Sequence, residues 1–454
     1  MEKFDVVVLG AGPGGYSLAN ILSINKLKVA LIEKEDLGGT CINKGCIPTK
    51  TLIKSAKVLE LVKNAKNYGV FTNDIKYDIK KIQQRRLENK TFFNSSIQKQ
   101  LDLNNVKFFK GFGEVLDQNS IKINEQIIYF DKLVLATGSR SKVINFQGIE
   151  ESIKNGYLIN SDQALYLESV PKSMVIIGDG SISLEFAYFY NTLGVEVTIL
   201  TNVDFLSRFD MDIQKSVKQY FDLKNIRVID RVNIKRIDLD KVYYDDNNFV
   251  QAEKILLAVG RQANNESFKN LDIKKDKNGF VLVDDLMKTN FNNIYAIGDI
   301  TGLTLLSSVA YKTGDIVARN ILKYNDSEKF YENLVPWAIY LNPEIAGVGL
   351  TEQQLIEQKI EFESLIINSK ALPRAHADGI VADYSFIKFL IDKQTDQILG
   401  CFMMIETANI LINQIALFMQ QKLTFTQLQR SVYTHPTIAE ALYYSSRIKG
   451  IKSK

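Results

Sequence analysis

Twice in this chain an apolar run ends in a glycine-rich turn, continues with helical spacing, and is followed about twenty residues later by a second apolar strand. The first instance is FDVVVLGAGPGGYSLANILSINKLKVALIEK from Phe4 and the second is SMVIIGDGSISLEFAYFYNTLGVEVTILT from Ser173. Each is followed by a further apolar strand ending in glycine, KLVLATG at 132–138 and KILLAVG at 254–260. The chain therefore reads as an α/β protein whose architecture is duplicated.

The turns carry chemistry. Gly10, Gly12 and Gly15 form GxGxxG between strand and helix, and Glu33 closes the next strand 21 residues after Gly12. Glycines at these positions permit a tight turn and let backbone amides approach a pyrophosphate at the positive helix end, while the acid holds a ribose diol. In the second unit Gly178 and Gly180 keep the pattern, but Ser183 takes the third glycine position, a mild crowding. Two Rossmann-like dinucleotide-binding domains are expected. The second strand of the later unit runs into Thr201 and Asn202, where an acid selects NAD, and there is no arginine before Arg208 to clasp a 2′-phosphate. NAD is the expected cofactor there, with NADP left open and Asp204 as a substitute acid.

Beyond the second unit, IYAIGDITG after Asn293 is a strand entering Gly298 and Asp299, as though the chain returns to its first domain. From Val335 the pattern changes to strands such as IAGVGL and FIKFLI followed by helices, a separate α+β domain. The expected boundaries are 1–144 and 265–334 for the first, discontinuous domain, 145–264 for the second, and 335–454 for the last. A length of 454 residues accommodates several cores.

Charge and composition exclude several classes of function. With 56 basic and 52 acidic residues the net charge is +4, which demands no nucleic-acid partner, and the basic run at 80–90 has the apolar spacing of a solvated helix face. No signal-like segment precedes residues 4–9, and the longest apolar stretch, 398–419, carries Glu406, Asn409, Asn413 and Gln414, so it reads as a strand followed by a helix rather than a membrane span. A cytoplasmic protein is expected. Three cysteines make no disulfide framework, and in a reducing compartment a close pair points to redox or metal chemistry.

That pair lies in GGTCINKGCIPTK, residues 38–50. In a regular helix Cys41 and Cys46 would have Cα atoms roughly 8 Å apart, whereas a disulfide needs about 4.4–6.8 Å, so pairing requires a bend, for which Gly45 and Pro48 are the available places. A helix continuing through LIKSAKVLELVKNA would aim its positive end at the thiols and favour a thiolate. The alternatives are a zinc half-site and two inert core thiols. Zinc wants four ligands, and the chain offers only Cys401, His376 and His435 besides, so no metal is expected. His376 reads as surface and Cys401 as core. Near the C-terminus Glu440 follows Thr437 at capping-box spacing, with Pro436 suited to a helix start.

The segment GGTCINKGCIPTK resembles the redox-active signature of the pyridine nucleotide disulfide oxidoreductases, most closely the branch acting on dihydrolipoamide. The similarity spans essentially the whole chain through ATGSR at 136–140, YAIGDI at 295–300, PWAIYLNPEIAGVGLTE at 336–352 and YTHPTIAE at 433–440. The resemblance implies that Cys41 exchanges with substrate, that Cys46 lies against the flavin of FAD as a thiolate, and that Lys50 sits near the flavin paired with Glu185. It implies an FAD site completed by Asp299 and by backbone around Gly113, Gly138 and Ser307, with Gly260 in the nicotinamide site. It further implies a homodimer in which His435 acts as acid and base, its imidazole oriented by Glu440, across the subunit interface. The implied activity is oxidation of dihydrolipoamide, free or on the lipoyl domain of a 2-oxoacid dehydrogenase complex, with NAD as acceptor. Tyr433 stands where this branch carries another histidine, which keeps open a reductase of a different small disulfide or oxidant. The weakened second nucleotide turn also keeps open an FAD-binding assembly subunit without turnover.

Overall fold

The computed structural model describes residues 2–246, 248–324 and 329–449. Strand β1 (Glu2–Leu9) leads through the glycine turn into α1 (Pro13–Ile24) and β2 (Val29–Glu33). Then come α2 (Gly39–Asn43), α3 (Cys46–Lys63), α4 (Ile79–Leu103), and strands β3 (Lys107–Lys110), β4 (Gly113–Val115), β5 (Ser120–Ile123) and β6 (Gln126–Leu135). They form a sheet in the order β3-β2-β1-β6-β5-β4, and the strand Ile294–Ala296 adds in parallel to β6, with Tyr295 opposite Val134. The strand after Asn293 thus joins the sheet of the first glycine turn. β1 is apolar without alternation because both faces of the sheet are covered: Val6 and Val8 pack with α1 residues Leu18 and Leu22, Val7 and Leu9 with Phe130 and Ile300 on the other side.

The second unit repeats this plan. Ser173–Ile177 lies between Glu196–Leu200 and Lys254–Leu257 in a five-stranded parallel sheet, with the helix Ser181–Thr192 entered from the second glycine turn. A two-stranded ribbon, Ser139–Ser141 against Arg261–Ala263, joins the two units. The C-terminal unit is an antiparallel sheet containing Glu344–Gly349, Phe386–Asp392 and Ile398–Ile405, backed by the helix Ala408–Gln420. Residues 398–419 are therefore a strand followed by a helix, and Cys401 is fully buried beneath it. Among the described residues, no helix is long and apolar enough to cross a membrane.

One reading needs correction. The basic run on α4 is not wholly solvated: Lys80 and Lys81 are exposed, but Arg86 is buried, its guanidinium 4.0 Å from the ring centroid of Tyr166 and its Nε donating to Gln83. A planar, weakly hydrated guanidinium tolerates such burial on an aromatic face, where a lysine would not.

Lys388 fastens the C-terminal unit to the second unit. Its fully buried ammonium bonds Asp210 at 2.9 Å, Asp212 at 2.6 Å and Glu352 at 2.5 Å. Asp210 also caps the helix Met211–Leu223.

Candidate active site

Both glycine turns open on one cleft of about 910 Å³, lined by residues of the first two units and by Ala338 of the third. At the first turn Gly10 has φ +110°, and a Cβ there would lie 2.2 Å from the Ala136 carbonyl; one on Gly15 would meet the Gly10 carbonyl at 1.9 Å. Only glycine fits these two positions. Gly12, by contrast, faces open space in the cleft, and α1 begins there with no side-chain cap, so its first amides are free to meet an anion. The second turn has the same construction: a Cβ on Gly178 would lie 2.4 Å from the Ala258 carbonyl, and Gly180 is open. These cradles fit two dinucleotide pyrophosphates.

Glu33 ends β2 at the cleft wall, its carboxylate accepting from the amides of Ala11 and Glu35 at 2.8 Å each. The matching position in the second unit, 21 residues beyond Gly180, is Thr201, which lines the cleft with Asn202 and Arg208. Asp204 is held by Arg231 at 3.4 Å. Ser183 is completely buried and its hydroxyl has no partner, the cost of a side chain at a glycine position.

Gly138, Gly260, Asp299 and Ser307 also line the cleft. Asp299 accepts from Ser139 Oγ at 2.6 Å, and Arg261 donates to the same hydroxyl at 2.7 Å and to the Ser139 carbonyl at 2.6 Å. Gly113 lies elsewhere: it opens β4 inside the core, where a Cβ would come within 2.7 Å of Leu9 and 3.0 Å of Ile121. Arg261 was not singled out in the sequence, although it directly follows Gly260 at the ribbon joining the two nucleotide units.

The cysteine segment does bend, at Lys44 and Gly45 between α2 and α3, while Pro48 sits inside the first turn of α3. Cys46 is the first residue of that 18-residue helix and Cys41 lies mid-way along α2, both facing the cleft as free thiols. Asn43 pins α2 by donating to the Leu37 and Gly39 carbonyls at 2.9 Å, and Tyr166 of the second unit donates to the Asn43 carbonyl at 3.1 Å. Ser307, at the start of the helix Ser307–Ile321, places its hydroxyl 3.3 Å from Cys46 Sγ.

The two sulfurs are electrostatically unequal. A hydrogen bond from Cys41, helped by Ser307 and the Lys50 charge, brings Cys46 down to about 6 from the ordinary thiol value, against the opposing effect of burial. The same bond, with burial, pushes Cys41 up. Lys50, one turn on from Cys46, bonds both oxygens of Glu185 at 2.8 and 2.9 Å across the boundary between the units. Burial disfavours the ammonium, but the Glu185 carboxylate outweighs it and the Lys50 pKa is raised. Tyr340 of the C-terminal unit completes the cluster, its amide donating to Glu185 at 3.1 Å and its ring 4.6 Å from Lys50 Nζ.

His435 and Glu440 are not brought to this cleft within the chain. His435 is 64% exposed and donates from Nδ1 to Glu440 at 2.8 Å, while the other Glu440 oxygen accepts from the Thr437 amide at 2.8 Å. The capping box and the oriented imidazole therefore coexist. Burial disfavours the Glu440 charge, but the His435 bond prevails and lowers its pKa. His376 is exposed. Among the described residues, no group of three or more His, Cys, Asp or Glu side chains is placed to hold a metal.

Two dinucleotide cradles meeting at an asymmetric dithiol define a flavin- and nicotinamide-linked disulfide oxidoreductase. Residues 4–314 match the pyridine nucleotide-disulphide oxidoreductase family model and 335–445 its dimerisation domain, and the chain belongs to this family. Its cofactors are FAD and NAD. The chain is 34% identical to the dihydrolipoyl dehydrogenase of Mycoplasma genitalium over 445 residues, 96% of each protein. It is 32% identical to that of Bacillus subtilis, covering 97% of this chain and 96% of the relative. Its fold is also similar to the HOCl-induced flavoprotein disulfide reductase RclA of Escherichia coli, with a TM-score of 0.86, 27% identity, and coverage of 96% of this chain and 98% of that one.

Proposed function

We propose that the chain is a dihydrolipoyl dehydrogenase, oxidising a dithiol to its cyclic disulfide and delivering the electron pair to NAD. The observation that carries this reading is the placement of the pair: Cys46 opens α3 with the Ser307 hydroxyl 3.3 Å from its sulfur, and Cys41 in α2 faces the same cleft. In the oxidised enzyme a substrate thiolate attacks Cys41, breaking the Cys41–Cys46 bond and leaving Cys46 as the stabilised thiolate. The second substrate sulfur then displaces Cys41, so the substrate leaves as disulfide and the enzyme is left with Cys41 as thiol and Cys46 as thiolate. An FAD held at the first glycine turn would supply the two-electron relay from this pair to NAD.

The first glycine cradle, Glu33 and Asp299 suit FAD, with Gly138 and Ser307 along its path. Lys50, charged and fixed by Glu185, supplies a cation beside the thiolate. Gly178, Gly180 and Gly260 suit NAD, and Thr201 offers its ribose a hydroxyl in place of a carboxylate. His435, held by Glu440, is the proton carrier for the substrate sulfurs. Because it stands outside its own chain's cleft, it serves the thiols of the second subunit of a homodimer. The dithiol reaches the site free or on a lipoyl domain.

A reductase of another small disulfide is the second reading, favoured by Tyr433 and by the likeness to RclA. Anaerobic reduction of the FAD-loaded enzyme by NADH and NADPH, followed by turnover with dihydrolipoamide and glutathione disulfide, separates the two. Preference for dihydrolipoamide with NAD supports the first reading. Turnover confined to other acceptors replaces it with the second.

A further inference from the structure

The helix that carries Cys41 ends on a bond from another unit. α2 is five residues long, so its last carbonyls have no partner within the helix. The Asn43 carbonyl, two residues after Cys41 and three before Cys46, accepts from the Tyr166 hydroxyl at 3.1 Å. Tyr166 follows the short helix Ser161–Ala164 of the second unit and is not part of the cleft lining. The Asn43 side chain holds the same turn from the first unit: its amide donates to the Leu37 and Gly39 carbonyls, and its oxygen accepts from Asn94 of α4 at 3.1 Å.

α4 also builds the seat for the phenol. The Arg86 guanidinium lies 4.0 Å from the Tyr166 ring centroid, its Nε donates to Gln83 at 2.6 Å, and Gln83 Nε2 donates to the Leu167 carbonyl at 3.2 Å. Among the described residues no carboxylate pairs with Arg86, and its Nη1 has no hydrogen-bond partner. A buried cation without an anion gives up hydration, and what this one gains is the aromatic face. Arg86 therefore serves to fix one ring, and the hydroxyl of that ring reaches the peptide between the two cysteines.

We infer that Tyr166 is a positioning residue for the dithiol: from the second unit it fixes the turn carrying Cys41, so that this sulfur stays within reach of Cys46. The inference rests on the thiol–disulfide exchange reading above. Two thiols held in apposition close to a disulfide more readily than two on a loose turn, because the ordering is already in place before the bond forms. Without the anchor α2 gains freedom in the dithiol form, and oxidation must remove it again.

The test uses the full-length, FAD-loaded enzyme in anaerobic mixtures of reduced and oxidised dithiothreitol. Oxidised dithiothreitol takes an electron pair from the cysteines as the Cys41–Cys46 bond forms; the Cys41 proton and one from Cys46 or solvent complete its reduced form. Alkylation after acid quenching counts the thiols that remain. Tyr166→Phe keeps the ring on Arg86 and removes only the hydroxyl. Its equilibrium constant for disulfide formation is expected to fall about fivefold, with hydride transfer from NADH to the flavin within about twofold of wild type. A role in packing alone gives the opposite pattern, with Tyr166→Phe equal to wild type and Tyr166→Leu impaired. If Tyr166→Phe loses FAD, Arg86→Lys, which removes the planar support, is read in its place with the same expectation. An equilibrium constant within about twofold of wild type, or one that rises, overturns the inference. If the wild-type enzyme closes its disulfide but does not turn over lipoamide, the dihydrolipoyl reading fails and the comparison still decides the role of Tyr166. A wild-type pair that forms no disulfide overturns both.

Discussion

Ser307 Oγ lies 3.3 Å from Cys46 Sγ, joining the first turn of one helix to the first residue of another that is 261 positions away in sequence. Both helix ends are positive, so the sulfur between them is stabilised as an anion by the backbone as well as by the hydroxyl. Cys41 is the other partner, and its proton is shared towards the same sulfur.

The thiolate should follow pH accordingly. The folded value of Cys46, about 6, lies below the ordinary thiol value, so the thiolate is present above that pH and is lost as the pH falls through it. Ser307→Ala removes one donor to the anion and should move the midpoint upward by about one unit. Thiolate absorbance of the anaerobically reduced protein as a function of pH checks this; an unmoved midpoint would show that Ser307 does not stabilise the anion.

His435 is exposed and outside its own chain's cleft, which leads to a prediction about mixed dimers. Cys46→Ser and His435→Gln subunits are each expected to be inactive as homodimers. Random hybrids of the two contain one intact site built from the unmutated cysteines of one chain and the unmutated histidine of the other. Recovery of about a quarter of wild-type turnover is expected on a twofold-symmetric assembly with shared sites. No recovery in hybrids of verified composition would mean that each chain supplies its own proton carrier.

Among the described residues Lys388 is the only cation bonded to Asp210, and both side chains are fully buried. Lys388→Met leaves that buried carboxylate without a counter-ion, stabilised only by the amides of Asp212 and Glu352 between the second and C-terminal units. A loss of about 3–5 kcal/mol is expected. Chemical denaturation of the variant measures it, and a change under about 1 kcal/mol would show that water or the neighbouring acids adjust.

The features legible in the sequence are those fixed by local spacing. Gly10, Gly15 and Gly178 specify their own turns because only glycine fits the close approach of backbone there, and Glu33 is located by its distance from Gly12. The box from Thr437 to Glu440 is equally local. The pairing of Lys50 with Glu185 spans 135 positions and came from family resemblance, not from spacing. Features made by tertiary proximity left no such trace. Arg86 looks solvated until Tyr166 is folded beneath it, and Tyr166 reaches the Asn43 carbonyl across 123 positions. Gly113, named through family resemblance alone, packs against Leu9 and Ile121 in the core.

Every step depends on Cys46 relaying the electron pair between the exchange thiol and the flavin, and Cys46→Ser tests that most directly. The variant should bind FAD normally while losing the long-wavelength absorbance of the reduced enzyme and its disulfide turnover by more than about a thousandfold. Retained turnover with FAD bound would contradict the assignment.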